Sequence, residues 1–119
     1  MLLKHWYNGV EVLSLDKEEL KRQLRKVAQK IKLDHPEVRE MIVFGSFLKD
    51  NYTPYSDIDV AIVVEKSEKK FIERIDDFID YFLEIPLDVN VLVYTRDEFQ
   101  RMTEGRNRLV LEIAGGERY

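Results

Sequence analysis

The stretch MIVFGSFLKDNYTPYSDIDVAIVV, Met41 to Val64, decides how this chain is read. It opens with an apolar run, breaks at Gly45, passes through a polar loop and enters a second apolar run at Asp57. Two carboxylates, Asp57 and Asp59, stand one residue apart at the start of that second run. In a strand, side chains alternate between faces, so Asp57, Asp59, Ala61 and Val63 share one face and Ile58, Val60, Ile62 and Val64 share the other. The two acids are then neighbours, roughly 6.5–7 Å apart at Cα. Like charges on a partly buried face repel. A hard cation between them removes the conflict, and Mg²⁺, which commonly takes one or two carboxylates together with substrate phosphates, suits such a pair. The other reading of the two acids is a solvated strand end paired with Lys or Arg.

The flanking sequence supplies the elements around this stretch. LLKHWYNGVEVLSL reads as a hairpin turning at Asn8-Gly9, the dipeptide that tight primed turns prefer. Residues 1–15 are thus expected to be a hairpin extension on a single domain spanning 1–119. Asp16 and Glu19 resemble a capping box, and Leu20, Leu24, Val27 and Ile31 recur at helical spacing behind it. VREMIVF, 38 to 44, is a short strand. After Gly45, SFLKD has the length of one helical turn, and NYTPYS is loop by composition. Beyond the second strand, Ser67 is expected to cap an amphipathic helix, SEKKFIERIDDFIDYFLEI, with Phe71, Ile75, Phe78 and Phe82 on one side and an acidic outer face. Pro86 stops it, and LDVNVLVY is the third strand. TRDEFQRMTEGRNRLVLEIAG reads as closing helices broken at Gly105, followed by a short tail, ERY.

The order is helix, strand, strand, helix, strand, helix, which predicts an α+β fold: a small mixed β-sheet with helices packed on it. The second and third strands, joined through a helix, run parallel. With the first two antiparallel, the end of the first strand, Asp57 and Asp88 all reach one edge of the sheet. Asp88 lies with Asn90 on one face of the third strand, away from Leu87, Val89, Val91 and Val93. Three carboxylates at one sheet edge are a set that can hold two metal ions. Gly45 lets the backbone approach a ligand closely. A helix opening at Ser46 offers free N–H groups and a hydroxyl to an anion, although a plain helix cap is the simpler role for that serine. Lys49 either adds a positive charge toward phosphates or is merely solvated.

Composition narrows the classes. The 119 residues contain 45% hydrophobic residues, enough for one core. There is no cysteine, which removes disulfides, thiolate metal sites and a cysteine nucleophile. With 19 basic against 23 acidic residues the net charge is −4, which argues against direct nucleic-acid binding over the whole surface. Most of the surface charge expected on the first helix is basic, from Lys17 to Lys30. No run approaches the ~18 apolar residues of a membrane span, and MLLKHWYNGVEV lacks the apolar stretch of a secretory signal. A cytoplasmic location is the expectation. His5 and His35 have no partner at metal-ligand spacing. Trp6 and Tyr7 read equally as core or as a partner patch.

GSFLKDNYTPYSDID, a Gly-Ser, ten residues and then Asp-x-Asp, resembles the signature of the DNA polymerase β-like nucleotidyltransferases. The resemblance spans about residues 16 to 114, and Asp88 falls where that family carries its third carboxylate. It implies a palm-like fold, two Mg²⁺ ions held by Asp57, Asp59 and Asp88, ATP as substrate, and triphosphate binding at Gly45 and Ser46 with Lys49 beside them. The small size is similar to that of the minimal nucleotidyltransferases of prokaryotes, many paired with a helical HEPN-class ribonuclease toxin. In such pairs the enzyme is the antitoxin and can transfer AMP to a tyrosine of the toxin. The departure lies at Lys49-Asp50, where the family usually has a basic residue followed by glycine. The neighbouring Asn51 tolerates a left-handed turn, but Asp50 adds negative charge near the expected phosphates. An interaction module that binds nucleotide and inhibits its partner by contact alone is the alternative to the enzyme.

Overall fold

The computed structural model describes residues 17–45 and 57–119 in full and residues 2–7 and 10–15 as backbone. The expected hairpin is present as strands β1 (Leu2–Tyr7) and β2 (Val10–Leu15), paired antiparallel with Leu2 opposite Leu15. The turn at Asn8-Gly9, the cap at Asp16 and the segment from Ser46 to Ser56 lie outside the described residues.

Helix α1 (Lys17–Asp34) buries Leu20, Leu24, Ala28 and Ile31, a stripe repeating every three or four residues. Val27, expected in that stripe, packs at its margin. Strands β3 (Val38–Phe44) and β4 (Ile58–Val64) pair antiparallel, with Phe44 opposite Asp59. Strand β5 (Val89–Thr95) runs parallel to β4, with Ile58 opposite Val89 and Asp59 opposite Asn90. The mixed sheet has the order β5-β4-β3-β6. Its central strand β4 is covered on both faces, which is why its sequence is almost continuously apolar rather than alternating.

One face carries Met41, Val43, Ile58, Val60, Ile62, Val91 and Val93, packed against α1 and against Phe78, Phe82 and Ile85. The other carries Ile42, Phe44, Ala61 and Tyr94, packed against helices α3 (Arg96–Glu104) and α4 (Arg108–Ala114) through Phe99, Met102, Leu109 and Ile113. The break at Gly105 falls where the sequence places it, and Arg106 takes a positive φ of 52° there.

Two expectations are corrected. The amphipathic segment after Ser67 is not one helix. It forms a single α-helical turn, α2 (Phe71–Arg74), followed by 3₁₀ turns over Ile75–Asp77 and Ile79–Phe82. Ser67 does not cap it: its Oγ accepts from the Lys69 N–H in a local turn, and α2 starts at Lys70 without a side-chain cap. Aromatic and β-branched residues are poor helix formers. Here tertiary contacts of Phe78, Phe82 and Ile85 with the sheet decide the path instead. Nor is the C-terminal ERY a tail. Glu117–Arg118 form β6 on the outer edge of β3, with Val43 opposite Glu117, and the Tyr119 N–H donates to the Met41 carbonyl at 2.8 Å. Gly116 admits this strand, because a Cβ there would lie 2.5 Å from the Val43 carbonyl oxygen.

The sequence reading also passed over a buried ion pair. Arg74 is 7% exposed. Its Nη1 and Nη2 donate to Glu98 Oε1 and Oε2 at 2.5 and 3.2 Å, Nη1 also to the Val93 carbonyl at 3.2 Å, and Nε to the Lys69 carbonyl at 3.0 Å. Glu98 in turn closes a capping box with Thr95 at the start of α3. The Arg74 guanidinium, aided by Thr95 and opposed by partial burial, holds the Glu98 carboxyl down at about 2.

Candidate active site

The ladder itself builds the site. Because β4 and β5 are parallel with Asp59 opposite Asn90, the preceding pair on the same face is Asp57 and Asp88, and the Ile58 N–H donates to the Asp88 carbonyl at 2.8 Å. These four residues extend, toward the sheet end, the face that carries Ala61, Leu92 and Tyr94. Asp57, Asp88 and Asn90 are exposed, whereas Asp59 is half-buried. Asp57 and Asp59 thus reach one face of one sheet end, as the alternation requires, and Asp88 is set beside Asp57.

Asn90, to which the sequence reading gave no role, is the side chain that joins the two acids. Its Nδ2 donates to Asp59 Oδ1 at 3.1 Å and to Asp57 Oδ2 at 3.4 Å. The signal for it was in the register, since a parallel partner of Asp59 must face the same way.

Gly45 closes the site from the β3 side. Its φ is +84°, a conformation that L side chains rarely adopt. A Cβ at this position would stand 2.4 Å from Asp59 Oδ2. The residue at the end of β3 therefore has to be glycine for two reasons: the chain turns there, and the Asp59 carboxylate occupies the space of a side chain. Ser46 and Lys49 lie outside the described residues.

Among the described residues no group of three His, Cys, Asp or Glu side chains stands close enough to hold a metal by itself. The convergent set is two carboxylates and an amide, with Asp88 one step further out. That donor set fits a hard divalent cation that completes its shell with water and substrate phosphate rather than with a protein cage. Gly45, by lacking a side chain, makes room for the Asp59 carboxylate itself at this edge. Among the described residues no helix is long and apolar enough to cross a membrane.

Residues 20–114 match the family model described as a nucleotidyltransferase domain. The fold is similar to the 1.40 Å crystal structure of a candidate nucleotidyltransferase from Sulfolobus solfataricus, with a TM-score of 0.59 at 20% identity over 71% of this chain and 75% of that one. No functionally curated protein matches the chain at a significant level. The matched stretch runs from within α1 to the end of α4 and so contains the whole carboxylate site. The chain therefore belongs to the nucleotidyltransferase domain family, whose general chemistry is nucleotidyl transfer.

Proposed function

We propose that this protein is a Mg²⁺-dependent nucleotidyltransferase that moves AMP from ATP to a hydroxyl of a protein partner. It acts as the cytoplasmic antitoxin of a small helical HEPN-type ribonuclease toxin. The observation that carries the enzymatic part is the carboxylate pair itself. Asp57 and Asp59 are held on one face, joined among the described residues by a neutral amide, and Gly45 makes room for the Asp59 carboxylate. The partner and the acceptor rest on the sequence resemblance to the minimal prokaryotic enzymes.

In this reading the acceptor hydroxyl oxygen attacks the α-phosphorus, the bond to the bridging oxygen of the β-phosphate breaks, pyrophosphate leaves and the hydroxyl proton is lost. Asp57 and Asp59 hold the cation sites and Asp88 completes the set on the acceptor side. When bound, divalent cations there neutralise the triphosphate and make the acceptor hydroxyl more acidic. Gly45 and Ser46 hold the triphosphate by close backbone approach and by the serine hydroxyl, and Lys49 adds a positive charge. Positioning and charge neutralisation are most of what phosphoryl-group chemistry asks of a protein.

The test is co-expression with the product of the adjacent reading frame. The expected result is a stable complex whose partner gains the mass of one or more AMP groups with ATP and Mg²⁺ but not with excess chelator. A complex whose partner stays unmodified under those conditions supports the contact-only module, the reading that Asp50 favours.

A further inference from the structure

We propose that Asn90 is a working member of the cation site: an amide that holds Asp57 and Asp59 together while no cation is bound and turns its oxygen to the cation when one arrives. The proposal rests on the cation-dependent reading of the same site. Nδ2 reaches both carboxylates, at 3.1 and 3.4 Å, from the register position opposite Asp59. A primary amide carries two donors on one side and a carbonyl oxygen on the other. With no cation, the N–H groups supply the positive end of a dipole to two like charges. With a cation present, those N–H groups would face it, and a half-turn of the amide replaces them by an oxygen, the donor that a hard ion accepts. Asn90 is exposed, which leaves its amide free to turn among the described residues.

The choice of amide over acid has a consequence for control. The residues nearest the ion then carry two negative charges rather than three. Affinity for the free cation is kept low, and the phosphates of the nucleotide have to supply the rest. Cation and nucleotide then bind cooperatively, and the apo protein avoids packing a further carboxylate directly opposite Asp59.

The experiment is Mn²⁺ binding to the full chain, followed by electron paramagnetic resonance with and without ATP, on wild type, Asn90→Asp, Asn90→Ala and Asp59→Asn. The wild type is expected to bind Mn²⁺ weakly alone and much more tightly with ATP. Asn90→Asp should raise affinity for Mn²⁺ alone by at least about tenfold, shrink the ATP-dependent gain and lower the melting temperature of the apo protein. Asn90→Ala should lower affinity in the presence of ATP by about tenfold. A residue that only supports the sheet would not yield changes of opposite sign from these two replacements. If both Asn90 variants bind Mn²⁺ as the wild type does while Asp59→Asn loses binding, Asn90 is outside the site and this proposal falls alone. If Asp59→Asn binds Mn²⁺ and ATP like the wild type, the cation-dependent reading of the site falls with it.

Discussion

The β4–β5 pair carries charge at both ends, and the two ends do so in opposite ways. Beyond the C-terminal end, Arg74 is taken out of water, but its guanidinium meets a bidentate carboxylate and two backbone carbonyls. A buried charge is tolerated on those terms because its desolvation is offset by charge-assisted hydrogen bonds. At the N-terminal end two like charges are set side by side on one face, and among the described residues the hydrogen bonds that join them come from the neutral Asn90. The first arrangement is complete as it stands. The second becomes favourable only when something positive joins it. Within one small sheet, the two ends thus differ in whether the described residues supply the counter-charge.

The sharpest way to break that comparison is to neutralise one member of each end. Asp59→Asn keeps shape and removes one of the two charges proposed to hold the cation. Nucleotidyl transfer is expected to fall by more than about a hundredfold, beyond the usual cost of losing a supporting residue around a metal. The melting temperature should stay level or rise, since like-charge repulsion is relieved. Glu98→Ala should do the reverse. It strands an Arg74 side chain that is 9% exposed and removes the half of the α3 capping box in which Glu98 accepts from the Thr95 N–H, costing about 3 kcal/mol. Transfer per folded molecule should be unchanged. Thermal unfolding and transfer assays on the two purified variants decide the matter. An Asp59→Asn protein that unfolds early, or a Glu98→Ala protein that is stable but inactive, would show that the division of labour between the ends is wrong.

A smaller effect is expected at Gly45, where fold and chemistry meet. In Gly45→Ala the new methyl would start 2.4 Å from Asp59 Oδ2 in a backbone conformation of φ +84°. The left-handed backbone alone costs about 1 kcal/mol, and the carboxylate has to move. Transfer should fall more than stability does, with the loss in Mg-ATP affinity exceeding the loss in melting temperature. An alanine variant with wild-type affinity for Mg-ATP would mean that Asp59 can shift without consequence.

Much of this was legible in the sequence because it follows from period-two alternation and connection length. The strand faces, the shared sheet end of Asp57, Asp59 and Asp88, and the parallel crossover need no knowledge of tertiary packing. Asn90 needed one step more, the β4–β5 register, which sequence alone does not set. The segment from Phe71 to Ile85 misled because its apolar residues fall at helical spacing while their contacts with the sheet impose tighter turns. The Arg74–Glu98 pair was invisible for a related reason: 24 residues separate two ordinary surface residue types, and only the crossover brings them together. The Thr95-x-x-Glu98 box, by contrast, was written in the sequence and signals a helix start on its own. β6 escaped because two residues carry no periodicity.

The smallest expected effect is a pH dependence, and it separates the two ends without touching the site. Glu98 is held at about 2 in the folded protein against an ordinary value of 4.5, chiefly by Arg74. A carboxyl depressed by folding contributes stability that is fully present above its unfolded value and is lost as the pH falls toward its folded one. The window therefore runs from about pH 4.5 down to about pH 2. The shift sets a ceiling of about 3 kcal/mol, and a side chain that is 32% exposed feels solvent screening that brings the contribution to on the order of 1–2 kcal/mol. Urea unfolding at several pH values across that window should show wild-type stability falling with acid more steeply than that of Glu98→Ala. The difference between the two proteins should narrow as pH 2 is approached. Asp59→Asn should retain the excess slope attributable to Glu98. If Glu98→Ala loses stability with acid as steeply as the wild type, Arg74 and Glu98 do not form the completed pair on which the contrast with the carboxylate end depends.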